Sequence, residues 1–279
     1  MIDMDKKRLL ILLISVQTLT LLATAFSHLS TLTYKVDGYK TYSKDTCIGD
    51  PDRDGRIEAA IAGYRYNGAA GRYEAVLKVV RYKAPADRWV NEGKIIWYVS
   101  GYDTYCFGVT IADVDKDGLL EIVTVGYYYD GANSRYVYQI RLYTKNRGNT
   151  FPTLKSSKTD YLFSGTMLYR VVVGDVDRDG QNEIIAVGKA KYDTTWYPAR
   201  VVYSYSGGTW SLEAATRYAI EGYYFDVAFG DPDLDGQWEY AAVGRIKSGG
   251  KTYGLIRTYN SVGGEDSLTF RVDQLFQNR

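Results

Sequence analysis

From Tyr34 onward the chain alternates short apolar runs with turns rich in glycine and aspartate, and the alternation repeats. In one stretch, Leu168–Val173 is apolar and leads into an aspartate-rich loop, Glu183–Val187 leaves that loop as a continuous apolar run, and Arg200–Ser204 is rich in valine and tyrosine. Runs of this length, bounded by turn residues, predict strands. Trp210–Ile220 is a fourth segment, although its Leu212–Ala215 portion would also suit a helical turn. Stretches such as YNGAAGR, YYDGANSR, SYSGGTW and KSGGKTYG supply the reversals between runs.

The same block recurs four times without a gap: GDPDRDGRIEAAIAG (49–63), ADVDKDGLLEIVTVG (112–126), GDVDRDGQNEIIAVG (174–188) and GDPDLDGQWEYAAVG (230–244). The first aspartates, Asp50, Asp113, Asp175 and Asp231, are 63, 62 and 56 residues apart, and a glycine follows each by 13 (Gly63, Gly126, Gly188, Gly244). A near-constant period over four copies means internal duplication. Four strands per repeat predict an all-β fold, a β-propeller of four-stranded blades spanning residues 34–279. The pattern leaves open whether four blades close alone or a larger ring needs a second chain, so a homo-oligomer belongs among the expectations.

Ahead of the repeats the pattern is different. Lys6, Lys7 and Arg8 precede an 18-residue run without charge, Leu9–Phe26. A basic start, an apolar stretch and the small-residue site Ala23-Thr24-Ala25 predict a signal peptide over 1–25, or a retained apolar helix acting as a signal anchor, followed by a short linker at 26–33. In both cases the basic residues stay inside and the body is exported, extracellular or at the cell surface.

Within each repeat the acids follow D-x-D-x-D-G-x-x-E. They are Asp50, Asp52, Asp54 and Glu58; Asp113, Asp115, Asp117 and Glu121; Asp175, Asp177, Asp179 and Glu183; and Asp231, Asp233, Asp235 and Glu239. Alternate carboxylates on a tight loop converge on one point, and the sixth-place glycine permits a positive φ. The seventh residue, Arg56, Leu119, Gln181 or Gln237, would offer its carbonyl, and the ninth, a glutamate, would return a carboxylate from the next strand. Hard oxygens alone, without nitrogen or sulfur, select calcium, giving four structural sites. The alternative is a set of Asx turns without an ion, but clustered carboxylates repel and must protonate or find a cation.

Composition narrows function. Of 279 residues, 28 are Tyr and 28 Gly, against 5 Pro, which excludes a disordered chain. The single histidine, His28, excludes any mechanism needing a histidine base or ligand in the body. Cys47 and Cys106 are too few for a disulfide framework, leaving one bridge or two free thiols. Three basic and two acidic residues fall in 1–25, so 31 of each remain beyond it, and sixteen of the acids are loop ligands. Outside the loops, cations therefore outnumber anions about twofold, which favours anionic partners. Tyr64-Arg65-Tyr66, Tyr127-Tyr128-Tyr129, Tyr192 with Trp196-Tyr197, and Tyr223-Tyr224-Phe225 are stacking platforms for sugars or, alternatively, strand packing.

The repeat resembles the calcium-binding FG-GAP repeat of integrin α-subunit propellers and their prokaryotic relatives. The second copy carries the resemblance most fully, with Phe107-Gly108, the loop Asp113 to Glu121, then Val125-Gly126. Lys44-Asp45, Tyr169-Arg170 and Phe225-Asp226 replace Phe-Gly in the others. The resemblance implies an extracellular recognition or adhesion module for a glycan or a surface protein. The alternatives are a structural subunit of a surface layer or filament, and a polysaccharide lyase-like enzyme using tyrosine, lysine and arginine. Nucleic acid is disfavoured by export, and a membrane enters only through the N-terminal segment.

Overall fold

The computed structural model describes residues 32, 34–83, 86, 88–148, 151–231, 234 and 236–259. The N-terminal apolar segment therefore lies outside the described residues, as do Asp233 and Asp235. Chain packing separates a larger unit, Tyr34–Tyr82 with Val90–Arg279, from Met1–Thr33 with Lys83–Trp89. The sites discussed below all belong to the larger unit.

Fifteen antiparallel strands form four sheets, with no α-helix among the described residues. The first sheet holds β1 (Thr41–Gly49), β2 (Glu58–Asn67), β3 (Arg72–Lys83) and β4 (Arg88–Trp97) in sequence order. The second holds β5 (Thr104–Ala112), β6 (Glu121–Asp130), β7 (Arg135–Thr144) and β8 (Thr153–Asp160). The third holds β9 (Gly165–Gly174), β10 (Glu183–Tyr192), β11 (Thr195–Ser206) and β12 (Thr209–Arg217). The fourth shows β13 (Gly222–Gly230), β14 (Glu239–Ser248) and β15 (Lys251–Tyr259); a fourth strand would fall on residues 260–279, outside the described set. Each sheet is a meander and corresponds to one sequence repeat. Leu212–Ala215 lies in β12 rather than a helical turn, because Ala214 and Ala215 pair with Val202 and Val201 across the sheet.

The core lies between sheets as well as within them. Val123, Val125 and Ile140 of the second sheet pack with Leu168, Ile184 and Val201 of the third. Val187 and Val202 of the third pack with Tyr224, Tyr240 and Leu255 of the fourth. Ala60, Leu77 and Val79 of the first pack with Val109 and Ile122 of the second, together with Cys106. Strands covered on both faces read as continuous apolar runs, which is why β6 and β10 show no alternation. Cys47 and Cys106 are both free thiols, and burial pushes each up to about 12.

The repeat's most regular small residue has a mechanical cause. In each first strand the register slips by one, skipping Lys44, Phe107, Tyr169 and Phe225, the four residues at the Phe place of Phe-Gly. This is a β-bulge, which bends the strand and re-aims a side chain. Beside it stand Gly63, Gly126, Gly188 and Gly244; a Cβ there would lie 2.2, 1.9, 2.0 and 2.1 Å from a carbonyl oxygen of the bulged strand. Only glycine fits so close to that backbone.

The residues that follow the bulge converge. Arg170 donates from Nη1 to the Phe107 carbonyl (2.8 Å) and from Nη2 to the Lys44 carbonyl (3.0 Å). Its Nε lies 3.7 Å from Asp45 and 3.6 Å from Asp226. The departures from Phe-Gly are thus one charged cluster joining the first strands of all four sheets.

Candidate metal loops and an aromatic face

The aspartate loops join the first strand of each sheet to the second. The sixth-place glycines, Gly55, Gly118, Gly180 and Gly236, have φ between 81° and 89°, the left-handed turn expected of them. The fourth-place residues Arg53, Lys116, Arg178 and Leu234 are left-handed too, with φ of 51°, 53°, 63° and 60°. Nothing in the sequence singled these out, since none is a glycine.

Backbone amides fold the loop around its own acids. Asp50, Asp113 and Asp231 accept from the amides of Gly55, Gly118 and Gly236 at 2.9, 2.9 and 3.0 Å. The fifth-place acids Asp54, Asp117 and Asp179 accept from the seventh-place amides of Arg56, Leu119 and Gln181 at 2.9, 2.7 and 2.7 Å. Glu121 and Glu183 accept from the amides of Val114 and Val176 at 3.0 and 2.8 Å.

The first, third and ninth places then converge. Asp50, Asp52 and Glu58 place carboxylate oxygens within 4.8 Å of one another, as do Asp113, Asp115 and Glu121, and Asp175, Asp177 and Glu183. Asp54, Asp117 and Asp179 are not part of these triads, and of the fourth loop's expected ligands only Asp231, Gln237 and Glu239 are described. Glu58 is 1 % exposed and Glu183 0 %. Both Glu58 oxygens, Glu183 Oε1, and the Oδ1 atoms of Asp52, Asp113, Asp115, Asp175 and Asp231 are buried without a hydrogen-bond partner. Orphaned, converging carboxylate oxygens fit a hard cation. Burial, reinforced by the loop aspartates, pushes Glu58 and Glu183 up to about 7, with Lys145 pulling Glu58 back.

Two loops already contain a positive charge. The Lys145 ammonium, 1 % exposed, contacts Asp52 and stands 3.8 Å from Glu92. Lys155, on β8, donates to Asp115 and Glu121, both at 2.8 Å. These lysines weaken the argument that clustered acids must find an ion, because the first and second loops hold an internal counter-ion. Among the described residues, the cation in ion-pair contact with the third loop's carboxylates is Lys116 of the second loop, exposed and 3.1 Å from Asp175.

At the other end of the sheets the aromatic residues form a connected layer. Tyr64 meets Tyr105 edge-on at 4.9 Å, Phe107 meets Tyr169 at 5.4 Å, and Tyr136 meets Trp196 at 5.6 Å. The aromatic clusters divide between packing and surface. Tyr224 is buried packing, Tyr64, Tyr127 and Tyr223 are half-buried, and Tyr66, Tyr129, Tyr192 and Phe225 are exposed.

Cations sit on this layer. Lys44 lies over Tyr64 and Phe107, Lys189 lies 4.4 Å from the Trp196 centroid, and Arg245 lies 4.7 Å from that of Tyr223. Lys189 also faces Tyr223 at 5.9 Å, so two cations share one ring. Burial and then Arg245 lower the Lys189 pKa.

In comparisons with known proteins, no family model and no curated protein matches the chain.

Proposed function

We propose that this chain is an exported, FG-GAP-like β-propeller module, stabilised by calcium in its aspartate loops, that binds acidic glycan without chemically altering it. The calcium reading rests on the converging, orphaned oxygens of the loops. In the first two loops an ion competes with Lys145 or Lys155, so of the three described triads Asp175, Asp177 and Glu183 bind it most tightly.

The observation that carries the binding reading is the pair Lys189 and Arg245. Among the described residues neither has a carboxylate partner, and they flank Tyr223 beside Trp196. Two neighbouring cations of like sign repel unless an anion joins them. Flat rings beside them offer a stacking surface for a sugar, and the cations suit its carboxylate or sulfate.

Equivalent strand positions sharpen this. The residue after the close-packed glycine is Tyr64, Tyr127, Lys189 and Arg245 in the four repeats. Half of the ring of positions is aromatic and half cationic, which suits a polymer carrying both sugar faces and charges.

The test is binding of polygalacturonate oligomers, and of neutral oligomers of equal length, to the full chain in calcium. Acidic oligomers should bind, weaken with salt, and lose about tenfold in affinity with Lys189→Gln or Arg245→Gln. Equal binding of neutral oligomers, or turnover of the polymer, would overturn the reading.

A further inference from the structure

The four bulges shape the aromatic end of the sheets. Each adds one residue to a first strand, Lys44, Phe107, Tyr169 or Phe225, and re-aims its side chain. The residues that follow them meet at one place. Arg170 lies 3.7 Å from Asp45 and 3.6 Å from Asp226, and a Cβ on Gly108 would stand 2.9 Å from the Arg170 Cα. The added residues are therefore neighbours too, with Phe107 edge-on to Tyr169 at 5.4 Å and Lys44 5.5 Å from the Phe107 centroid.

Three of the four added residues are rings, and the fourth is a cation. Lys44 lies over Tyr64, at 5.2 Å, as well as over Phe107. Among the described residues it has no carboxylate partner. The two acids that adjoin this place face Arg170 instead, and they also accept from the amides of Thr46, Val109 and Val227. Lys44 thus matches Lys189 and Arg245, each a cation laid on aromatic rings with no acid to satisfy it. Buried or crowded cations elsewhere are treated differently: Arg65, Lys145 and Lys155 all hold carboxylates.

An unbroken series of ring contacts joins Lys44 to Lys189. Phe107 stacks on Tyr127 at 5.3 Å, Tyr127 meets Tyr136 edge-on at 5.8 Å, Tyr136 meets Trp196 at 5.6 Å, and Lys189 lies on Trp196. All four rings are half-buried, so each keeps part of its surface open to solvent. The series runs from the first sheet across the second to the third, with a cation at each end.

We infer that Lys44 is a second anion contact of the glycan site, and that an acidic polymer lies along the ring track from Lys44 to Lys189 and Arg245. This rests on the glycan reading above and adds to it the path of the polymer and its minimum length. A single pair of cations reads one charged sugar, whereas a track with cations at both ends reads two charges separated by sugar faces. Linking two contacts on one ligand makes the second intramolecular, so affinity follows polymer length.

Calorimetric titration of the full chain in calcium, with polygalacturonate oligomers from dimer to decamer, reads the track. Affinity should rise with length until an oligomer reaches both ends. The loss caused by Lys44→Gln should grow along the same series, to about tenfold for the decamer. Lys44→Arg keeps the charge and should retain most of the binding. The Lys44 carbonyl, which Arg170 holds at 3.0 Å, survives in both variants, so their melting curves should match wild type. Decamer affinity indifferent to Lys44→Gln, or a loss of equal size at every length, would overturn the inference and leave the Lys189 and Arg245 reading in place. A wild-type chain that binds no acidic oligomer would overturn both.

Discussion

Replacing Glu183 by glutamine should move stability in opposite directions with and without calcium. The Glu183 side chain is fully buried, and its Oε1 has no hydrogen-bond partner. Burial and the neighbouring Asp177, Glu213 and Asp179 push its carboxyl up to about 7, against an ordinary 4.5. Between those values the folded chain holds a proton that the unfolded chain has lost. Calcium-free stability therefore falls as pH rises through this window, and the loss is complete above about 7. Its size is about 3 kcal/mol, at about 1.4 kcal/mol for each tenfold change in proton affinity. For a chain of this size that is roughly 6–12 °C in melting temperature. Glutamine cannot ionise, so Glu183→Gln should melt higher than wild type by this amount at pH 8 in excess chelator, with most of that difference gone at pH 5. Calcium closes this gap and, at high saturation, reverses the order: an ion at a hundred times its dissociation constant returns about 2.7 kcal/mol to wild type, and at a thousand times about 4.1, while the variant has lost a charged ligand. Thermal melts by circular dichroism from pH 5 to 8, in chelator and in calcium, read both effects. A variant that melts lower than wild type in chelator at pH 8 would refute the reasoning.

Lys155→Met should strip the second loop of its counter-ion, lower calcium-free stability by about 3 kcal/mol, and make that loop's stability depend on calcium; denaturant titrations with and without calcium measure it. Gly126→Ala would place a methyl 1.9 Å from the Tyr105 carbonyl, and should cost more than about 2 kcal/mol or abolish folding, whereas Gly68→Ala meets nothing within 4 Å and should melt as wild type does. Native protein should be found outside the cytoplasm with its N-terminus at Phe26, by terminal sequencing; protein confined to the cytosol would defeat the export expectation.

Much of the architecture was legible because the chain repeats its local chemistry. The apolar run Glu183–Val187 begins β10, and the four loops carry glycine where a left-handed turn is required. The triads too follow from spacing alone, since their members are neighbours in sequence. What spacing could not show is chemistry brought from far away. Lys145 meets Asp52 across 93 residues and Lys155 meets Asp115 across 40, so the loops looked uniformly anionic when two of them are not. The replaced Phe-Gly pairs read as losses of a motif, yet Asp45, Arg170 and Asp226 are one cluster in space. Lys189 and Arg245 were likewise unremarkable in sequence, and became a pair only when Tyr223 lay between them.

The central claim is that the repeated loops bind calcium, and the amount of ion bound per chain tests it most directly. Equilibrium dialysis of the full chain against calcium, with metal quantified by mass spectrometry, should show four ions per chain at saturation. Filling should occur in more than one step, and Glu183→Gln should remove part of the tightest step. A chain that retains no calcium at millimolar concentration, or magnesium bound as readily in every loop, would contradict the account.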